Sequence, residues 1–328
     1  MNQNFQILGT GSYLPGKGVS AAEIEQRTGL ETGWIDQHTA VKTRYECVAP
    51  DSLRSMAKKA IERCLENAKT DWNQIDLVID CSTSLHQPIP CNAATILSLF
   101  GDATANATGF DVHGTCLGFL LGLNVANSLL AHGQYQRILL VASEATLKAA
   151  NWKEPESASL LGDGAAAMLI GRSTPRDGFL FEHETFSEHY NECSVRGGGH
   201  ELPVFEYSDE NQDCYKFQMS GPKLFRTAMN RLPAMVKRMM ERMEDDVQEL
   251  LVIPHQASPK AVELIRRRLG YSEDQFINVA ADYGNMAAAS ISFVIDHLRR
   301  NQMCQQNDQV LLLGTSAGYS QAGLIFRI

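Results

Sequence analysis

The chain has 328 residues, of which 44% are hydrophobic and 20% are charged. This length and composition exclude a small disulfide scaffold and a disordered tail, and they predict about two domains or one large duplicated domain. Lys and Arg number 29 against 38 Asp and Glu, and the resulting net charge of −9 argues against nucleic acid as a partner.

Strand and helix patterns alternate along the first half of the chain. A strand in FQILGTGSYLP is followed by a helix at 52–67, a strand at 75–82, a helix at 91–99, a strand in GFDVHG, a helix at 116–132 and strands at 137–143 and 162–171. This alternation predicts a mainly parallel sheet covered by helices.

The same kind of alternation begins again after a polar, Gly-rich stretch. Helices are predicted at 221–242, 259–269 and 287–299, and two strands joined by a small-residue turn close the chain. The segments LLVASEATLK…GDGAAAMLIG and VLLLGTSAGYSQAGLIF resemble each other faintly, which suggests an internal duplication.

Two segments of the sequence bear on where in the cell the protein is located. The N-terminal residues MNQNFQILGTGSYLPG lack the basic region and apolar core of a signal peptide. The longest apolar stretch, 116–131, contains Asn124 and Asn127 and falls short of the roughly 20 residues of a spanning helix, so we expect a buried helix. We therefore expect a cytoplasmic enzyme with no membrane span.

Three residues suited to acyl-transfer chemistry lie at predicted strand ends. Cys116 lies where a strand meets the first turn of an apolar helix, whose N–H groups and dipole favour a thiolate and can face an oxyanion. His255 follows a strand, and Asn285 lies in a Gly-Asn turn that opens a helix. Alone, each is also compatible with a structural role as a buried thiol, a core histidine or a turn residue. Together they indicate a nucleophilic cysteine served by a distant His and Asn.

Motifs spread along the chain carry a family resemblance. They are GTGSYLP near the start, W-I-x-x-x-T at 34–39, D-V-x-x-x-C-x-G-F around Cys116, L-G-D-G-A at 161–165, P-H-Q-A at 254–257 and G-N-x-x-A-A-S at 284–290. On these motifs nearly the whole chain resembles a type III β-ketoacyl-acyl-carrier-protein synthase of the thiolase fold. The resemblance implies a homodimer with a five-layered α-β-α-β-α core of two duplicated α/β halves. Residues 1–172 would form the half with the nucleophilic cysteine, and 173–328 the half with the histidine and asparagine.

The resemblance also assigns roles to these residues. Cys116 would take an acyl group from an acyl thioester, and His255 and Asn285 would stabilise the enolate that forms when a malonyl thioester loses carbon dioxide. The N–H groups of Cys116 and Ala317 would form the oxyanion hole. Coenzyme A thioesters and acyl carrier protein would be partners, with no permanently bound cofactor and no metal.

The sequence departs from the family at several substrate-binding positions. The residues that the resemblance places around the substrate are Trp34, His38, Ile89, Thr315 and Ser316. The family usually has Arg at His38 and often Phe at Thr315, and Ser316 opens a segment that replaces its Gly-Gly-Gly loop. A second arginine expected near 153–157 has no clear counterpart. These departures predict an altered primer, carrier or acceptor, in fatty-acid or in specialised, polyketide-like biosynthesis.

Lys260, Arg266 and Arg267 place positive charge on one predicted helix. One interpretation is a docking surface for an acidic acyl carrier protein, and the other is an ordinary solvated helix face. Two other functions stay open: an acyltransferase that passes the acyl group to an oxygen or nitrogen acceptor without decarboxylation, and a non-catalytic subunit. Asn285 argues against the first, and the presence of all three candidate residues argues against the second.

Overall fold

The structure is a computed structural model that describes residues 2–243 and 250–328. The helices of this part are α1 (Ala21–Thr28), α2 (Trp34–His38), α3 (Leu53–Ala68), α4 (Asn92–Leu97), α5 (Gly118–His132), α6 (Pro155–Ala158), α7 (Gly221–Glu241), α8 (Pro259–Leu269), α9 (Ala280–Tyr283) and α10 (Ala289–Arg300). The strands are β1 (Gln3–Tyr13), β2 (Gly18–Ser20), β3 (Thr43–Tyr45), β4 (Leu77–Asp80), β5 (Thr108–Asp111), β6 (Arg137–Glu144), β7 (Gly164–Arg176), β8 (Leu180–Thr185), β9 (Cys193–Ser194), β10 (Gln218–Met219), β11 (Leu251–Pro254), β12 (Gln309–Ser316) and β13 (Ser320–Arg327).

A five-stranded sheet of order β1-β7-β6-β4-β5 forms the first half. β4 pairs in parallel with β5 and β6, whereas β7 pairs antiparallel with β1 and β6. The sheet is therefore mixed, and the prediction of a mainly parallel sheet is wrong. Between β6 and β7 lie only a short 3-10 turn and the four-residue α6, and antiparallel neighbours do not need the long helical crossover that parallel ones require.

The second half repeats this topology. Its sheet has the order β11-β12-β13-β8, with β11 parallel to β12 and the remaining pairs antiparallel. A parallel bridge between Val252 and Phe276 occupies the place that β5 has in the first sheet. Each pairing of the first sheet thus has a counterpart in the second, which supports the internal duplication that the sequence suggests only faintly.

Helices complete five layers. α5 and α10 lie between the two sheets, α3 covers the outer face of the first sheet, and α7 and α8 cover the outer face of the second. By length and composition alone, the stretch Thr115–His132 is apolar enough to cross a membrane, and half of it is buried inside the protein. The prediction of a buried helix in this stretch is confirmed, since α5 is the central helix of the fold.

Helical periodicity located the long helices well. α3, α7 and α8 agree with the predicted spans to within a residue, even though α7 contains Pro233. α5 begins two residues later than predicted, because the residues Thr115–Leu117 form a 3-10 turn before it. The short α1 and α2 were not predicted.

Candidate active site

Cys116 lies at the junction between the first sheet and the central helix layer. It is the middle residue of the 3-10 turn between β5 and α5. Thr115 has a φ of 48°, in the left-handed region that a β-branched residue avoids. Such a residue costs on the order of 1–3 kcal/mol and persists only where packing holds it. Leu117, the residue after Cys116, is fully buried in the core and holds the turn in place.

His255 approaches this turn from the second half. It follows β11, and its backbone N–H donates to the Leu313 carbonyl of β12 at 2.7 Å. Gly314 of β12 lies between the cysteine turn and His255. A Cβ built at position 314 would lie 2.9 Å from Leu117 Cδ2 and 3.2 Å from the Cβ of His255. The absence of a side chain at position 314 is therefore what lets the cysteine turn and His255 converge.

Asn285 is held by backbone contacts with the first half. Its N–H donates to the Leu160 carbonyl at 2.7 Å, and its carbonyl accepts from the Gly162 N–H at 3.0 Å. Gly284, at φ 71° and ψ −173°, makes the turn that allows this, a conformation open almost only to glycine. The side-chain Oδ1 accepts from the Ala287 N–H at 2.9 Å. The amide is thereby oriented with its carbonyl oxygen engaged. Its Nδ2 donates to the Ala257 carbonyl at 3.5 Å, which leaves a second N–H to donate.

All three side chains line one cavity of about 410 Å³. The sequence prediction that places Cys116, His255 and Asn285 in one site therefore agrees with the structure. The remaining wall is largely apolar and includes Leu160, Phe217, Met219, Leu224, Phe225 and Leu264. This cavity can hold an acyl chain or the arm of a thioester next to the three polar groups.

Burial determines the protonation of the histidine and the cysteine. It lowers the pKa of His255 to about 4, so the imidazole is neutral at pH 7. His255 Nδ1 has no hydrogen-bond partner among the described residues. Burial, helped by Cys193 and Glu144, raises the pKa of the Cys116 thiol well above its ordinary value. The thiolate expected at the start of α5 is therefore not the resting form, because loss of solvation outweighs the dipole of one helix.

The residues predicted to form an oxyanion hole, Cys116 and Ala317, line the same cavity. Ala317 lies in the turn between β12 and β13, and it lines the cavity together with Thr315 and Ser316. Within the described residues, the N–H groups of Cys116 and Ala317 donate no backbone hydrogen bond. Two N–H groups without a backbone acceptor at the wall of the cavity can donate to the oxyanion of a tetrahedral intermediate.

The predicted substrate-binding residues divide into two groups. His38, Thr315 and Ser316 line the main cavity, and Trp34 lines an adjoining one of about 320 Å³. The rings of Trp34 and His38 stack with their centroids 4.0 Å apart. Ile89 is 86% exposed and lines neither cavity in this single chain.

The cations predicted for docking are only partly free. Lys260 begins α8 and lines the cavity, where its Nζ donates to the Gln37 carbonyl. Arg266 is 13% exposed, donates to both oxygens of Glu263 at 2.7–2.8 Å, and also donates to the Tyr271 carbonyl at 2.6 Å. Arg267 pairs with the same Glu263 carboxylate but is 68% exposed. Arg266 is thus committed to its own helix, which leaves Lys260 and Arg267 as accessible charges.

Several cavity residues were missed by the sequence reasoning. Cys193 of β9 is a second thiol on the cavity wall, and Glu154 and Glu156 line the part of the site next to Trp34. Nothing in the local sequence marks Cys193. The two glutamates were detectable, since they lie in the segment 153–157 where the family resemblance leads one to expect an arginine. Among the described residues, no three His, Cys, Asp or Glu side chains are grouped as a metal site.

Comparisons with known proteins point to one family. A family model described as 3-oxoacyl-[acyl-carrier-protein] synthase III matches residues 110–187, and its C-terminal counterpart matches residues 242–328. The β-ketoacyl-[acyl-carrier-protein] synthase III of Rickettsia felis is 27% identical over 323 residues, which cover 98% of this chain and 99% of the relative. The enzyme of the same name from Chlamydia muridarum is 28% identical over 326 residues, 98% of each chain.

Solved structures are similar over the whole fold. The β-ketoacyl-[acyl-carrier-protein] synthase III of Thermus thermophilus superposes with a TM-score of 0.86 at 25% identity and covers 98% of both chains. The priming β-ketosynthase of a polyketide biosynthetic pathway superposes with a TM-score of 0.89, also at 25% identity, over 100% of this chain and 97% of that one. The thiolase-like fold expected from the sequence motifs is confirmed.

Proposed function

Since the chain belongs to the 3-oxoacyl-[acyl-carrier-protein] synthase III family, we propose that it loads an acyl group on Cys116 and condenses it with a malonyl thioester. The observation that carries this proposal is the cavity that brings together the Cys116 thiol, a neutral His255 and the side-chain amide of Asn285. The product is a β-ketoacyl thioester, formed with release of carbon dioxide.

The first step transfers the acyl group to the enzyme. The Cys116 sulfur attacks the carbonyl of the acyl thioester, and because burial keeps it a thiol, its proton must leave as the bond forms. Neutral His255 is the base available in the cavity. The oxyanion of the intermediate accepts from the N–H groups of Cys116 and Ala317 until the donor thiolate leaves and takes up the proton.

The second step uses the same histidine as a hydrogen-bond donor. The thioester oxygen of the malonyl group accepts from His255 and from the Asn285 NH₂. Loss of carbon dioxide leaves an enolate whose negative oxygen these donors stabilise. The enolate carbon attacks the acyl carbonyl on Cys116, a carbon–carbon bond forms, and the cysteine leaves as thiolate. Only a neutral imidazole can serve as base in the first step and as donor in the second.

The surroundings of His255 favour condensation over simple acyl transfer. A transferase that activates an alcohol or amine gains from a carboxylate that orients the histidine and raises its basicity. No carboxylate of the described residues bonds to His255, and its Nδ1 has no partner. Glu144, the buried carboxylate that acts on the Cys116 thiol, instead accepts from the Thr83 N–H and from the Ser84 N–H and hydroxyl at 2.7–3.0 Å.

The mouth of the site supports a carrier protein as the acyl donor. Glu154 and Glu156 lie next to the stacked Trp34 and His38, where phosphate groups of coenzyme A would meet two like charges. Lys260 lies on the cavity and offers a positive charge to an acidic carrier. Acyl carrier protein is therefore the proposed partner at the mouth, with coenzyme A thioesters as weaker donors.

We also propose a cytoplasmic homodimer with no permanently bound cofactor. β5 is the edge strand of the first sheet and carries Phe110, which is 37% exposed. Leu85 and Ile89, on the loop before α4, are also exposed apolar residues. An unpaired edge beside apolar side chains suits pairing with a second copy of the chain.

The test uses acyl thioesters on coenzyme A and on carrier protein, with intact mass as the readout. We expect an acyl adduct that is absent in Cys116→Ala and retained in Cys193→Ala, which removes the other thiol of the same cavity. Addition of a malonyl thioester is expected to convert the adduct into β-ketoacyl product and carbon dioxide. An adduct that leaves only to water, alcohols or amines would instead establish the acyltransferase alternative.

A further inference from the structure

A second cavity lies at the far end of α10 from Asn285. It has a volume of about 500 Å³ and is bounded by β1, α3, the end of β7, the end of α10 and residues 304–306. α10 has twelve residues and therefore spans about 18 Å. The two cavities share no lining residue, so this one is separate from the candidate active site.

The charge of this second cavity is opposite to that of the protein. The chain has a net charge of −9, yet the cavity is lined by the four guanidinium groups of Arg63, Arg176, Arg299 and Arg300. Asp296 is the one carboxylate side chain that lines it. The cations remain in excess even if a main-chain carboxylate at the neighbouring Ile328 is counted. Such a cavity concentrates anions.

Protein contacts use only part of the donor capacity of these arginines. Arg300 donates to Asp296 at 2.6 Å, Arg63 to the Ser12 carbonyl at 2.6 Å and Arg176 to Asn307 at 2.9 Å. Each guanidinium has five N–H donors, so most of them remain. Arg299 forms no ion pair with the described residues, and the buried Nε atoms of Arg176 and Arg299 have no hydrogen-bond partner. Buried donors without acceptors are costly, and an oxyanion would supply the acceptors.

Neutral donors surround the arginines. Asn67 accepts from the Thr10 N–H at 3.0 Å through Oδ1, which leaves its NH₂ group to donate. The side chains of Gln6, Gln305 and Gln306 also line the cavity. Amide and guanidinium donors together suit a group that carries several acceptor oxygens, and arginine is the residue best suited to bind phosphate.

Stabilisation of a helix end does not explain the whole arrangement. Arg299 and Arg300 lie in the last turn of α10, where positive charge interacts favourably with the helix dipole. Arg63 comes from the middle of α3 and Arg176 from the last residue of β7, and neither position gains from that dipole. The convergence of three elements on one cavity therefore calls for a shared ligand.

We propose that this cavity binds a small anion that carries a phosphate group. The volume of the cavity lies in the range of small-ligand sites. Arg63, Arg176 and Arg299 supply hydrogen-bond donors that the protein itself leaves unused. The ligand bridges β1, α3 and α10, and its binding is independent of the reaction at Cys116.

The test is calorimetric titration of the full chain with pyrophosphate and with inorganic phosphate, at constant ionic strength set by chloride. We expect saturable binding of pyrophosphate that weakens at least tenfold in Arg299→Gln and in Arg63→Gln. Arg299→Gln removes no side-chain hydrogen bond or ion pair recorded among the described residues, so folding should be retained, and circular dichroism checks this. The matched control is Arg268→Gln, which changes an exposed arginine of α8 and should leave the affinity within twofold.

The outcomes separate the possible ligands and sites. Equal binding of phosphate and pyrophosphate indicates a ligand with a single phosphate group, whereas binding of pyrophosphate alone indicates a diphosphate. The proposal is overturned if neither anion binds above the chloride control, or if both arginine variants bind like the unchanged protein. It is also overturned if Lys260→Gln abolishes binding while Arg299→Gln does not, because the anion would then occupy the mouth of the active site.

Discussion

The protonation of His255 gives the sharpest prediction about the reaction. The enolate donor proposed here is a neutral imidazole, because burial lowers the pKa of His255 to about 4. At pH 5, a histidine with that pKa is about 90% neutral, whereas one with the ordinary pKa of about 6.5 is only about 3% neutral. The two cases differ roughly 30-fold in the active fraction at pH 5. We expect decarboxylation of a malonyl thioester to stay nearly constant between pH 7 and pH 5.

The assay should isolate the decarboxylation step from acyl loading. Cys116→Ala removes the thiol, and release of carbon dioxide from a malonyl thioester without primer then reports only His255 and Asn285. The rate is compared with that of the uncatalysed reaction at each pH. Asn285→Ala serves as the matched control, because it should lower the rate at every pH without changing the shape of the profile.

A profile that falls tenfold per pH unit below 6.5 would refute this reasoning. It would mean that the imidazole is solvated or paired with a negative charge in solution, contrary to its burial and its unpartnered Nδ1. Circular dichroism at each pH separates this result from acid unfolding.

Three further predictions follow from the contacts of the site. Gly314→Ala places a Cβ 2.9 Å from Leu117 Cδ2, so we expect the free energy of unfolding, measured by urea titration, to fall by about 1–3 kcal/mol, with slower condensation. Asn285→Asp keeps the acceptor for the Ala287 N–H but replaces the NH₂ donor with an oxygen; carbon dioxide release should fall about 10²–10³-fold while the mass of the acyl adduct is unchanged. Burial raises the pKa of Glu144 to about 7, so the folded state binds its proton more tightly than the unfolded state, and stability is lost as pH rises from about 4.5 to 7. Urea titrations across this range should show a shallower loss in Glu144→Gln, and equal slopes would contradict the assignment.

The long helices and the candidate site residues could be located from the sequence for a physical reason. α8 has helical periodicity along its length, and Cys116 and His255 lie at strand ends that local patterns reveal. The pairing of Arg266 and Arg267 with Glu263 could also be predicted from the sequence, because spacings of three and four residues place these side chains on one helix face.

Other features depend on long-range packing that no local pattern encodes. Arg63, Arg176 and Arg299 are more than a hundred residues apart along the chain, and only the packing of β1 against α3, β7 and α10 brings them together. The prediction of a mainly parallel sheet failed at β7, which pairs antiparallel with its neighbours. The alternation of side chains along a strand is the same in parallel and antiparallel pairs, so the sequence does not show the direction of pairing.

The duplication accounts for the division of the chemistry between the two halves. Cys116 follows β5 and precedes α5, and Asn285 follows the bridge at Phe276, the counterpart of β5, and precedes α10. The proposed nucleophile and the proposed enolate donor thus occupy equivalent positions in the two repeats. Each is also held by the opposite half: the turn of Cys116 packs on Gly314, and Asn285 bonds to Leu160. Because both loops cross the interface between the repeats, neither half can form the site alone, and the distance between acyl carbonyl and enolate is set by how the two halves pack.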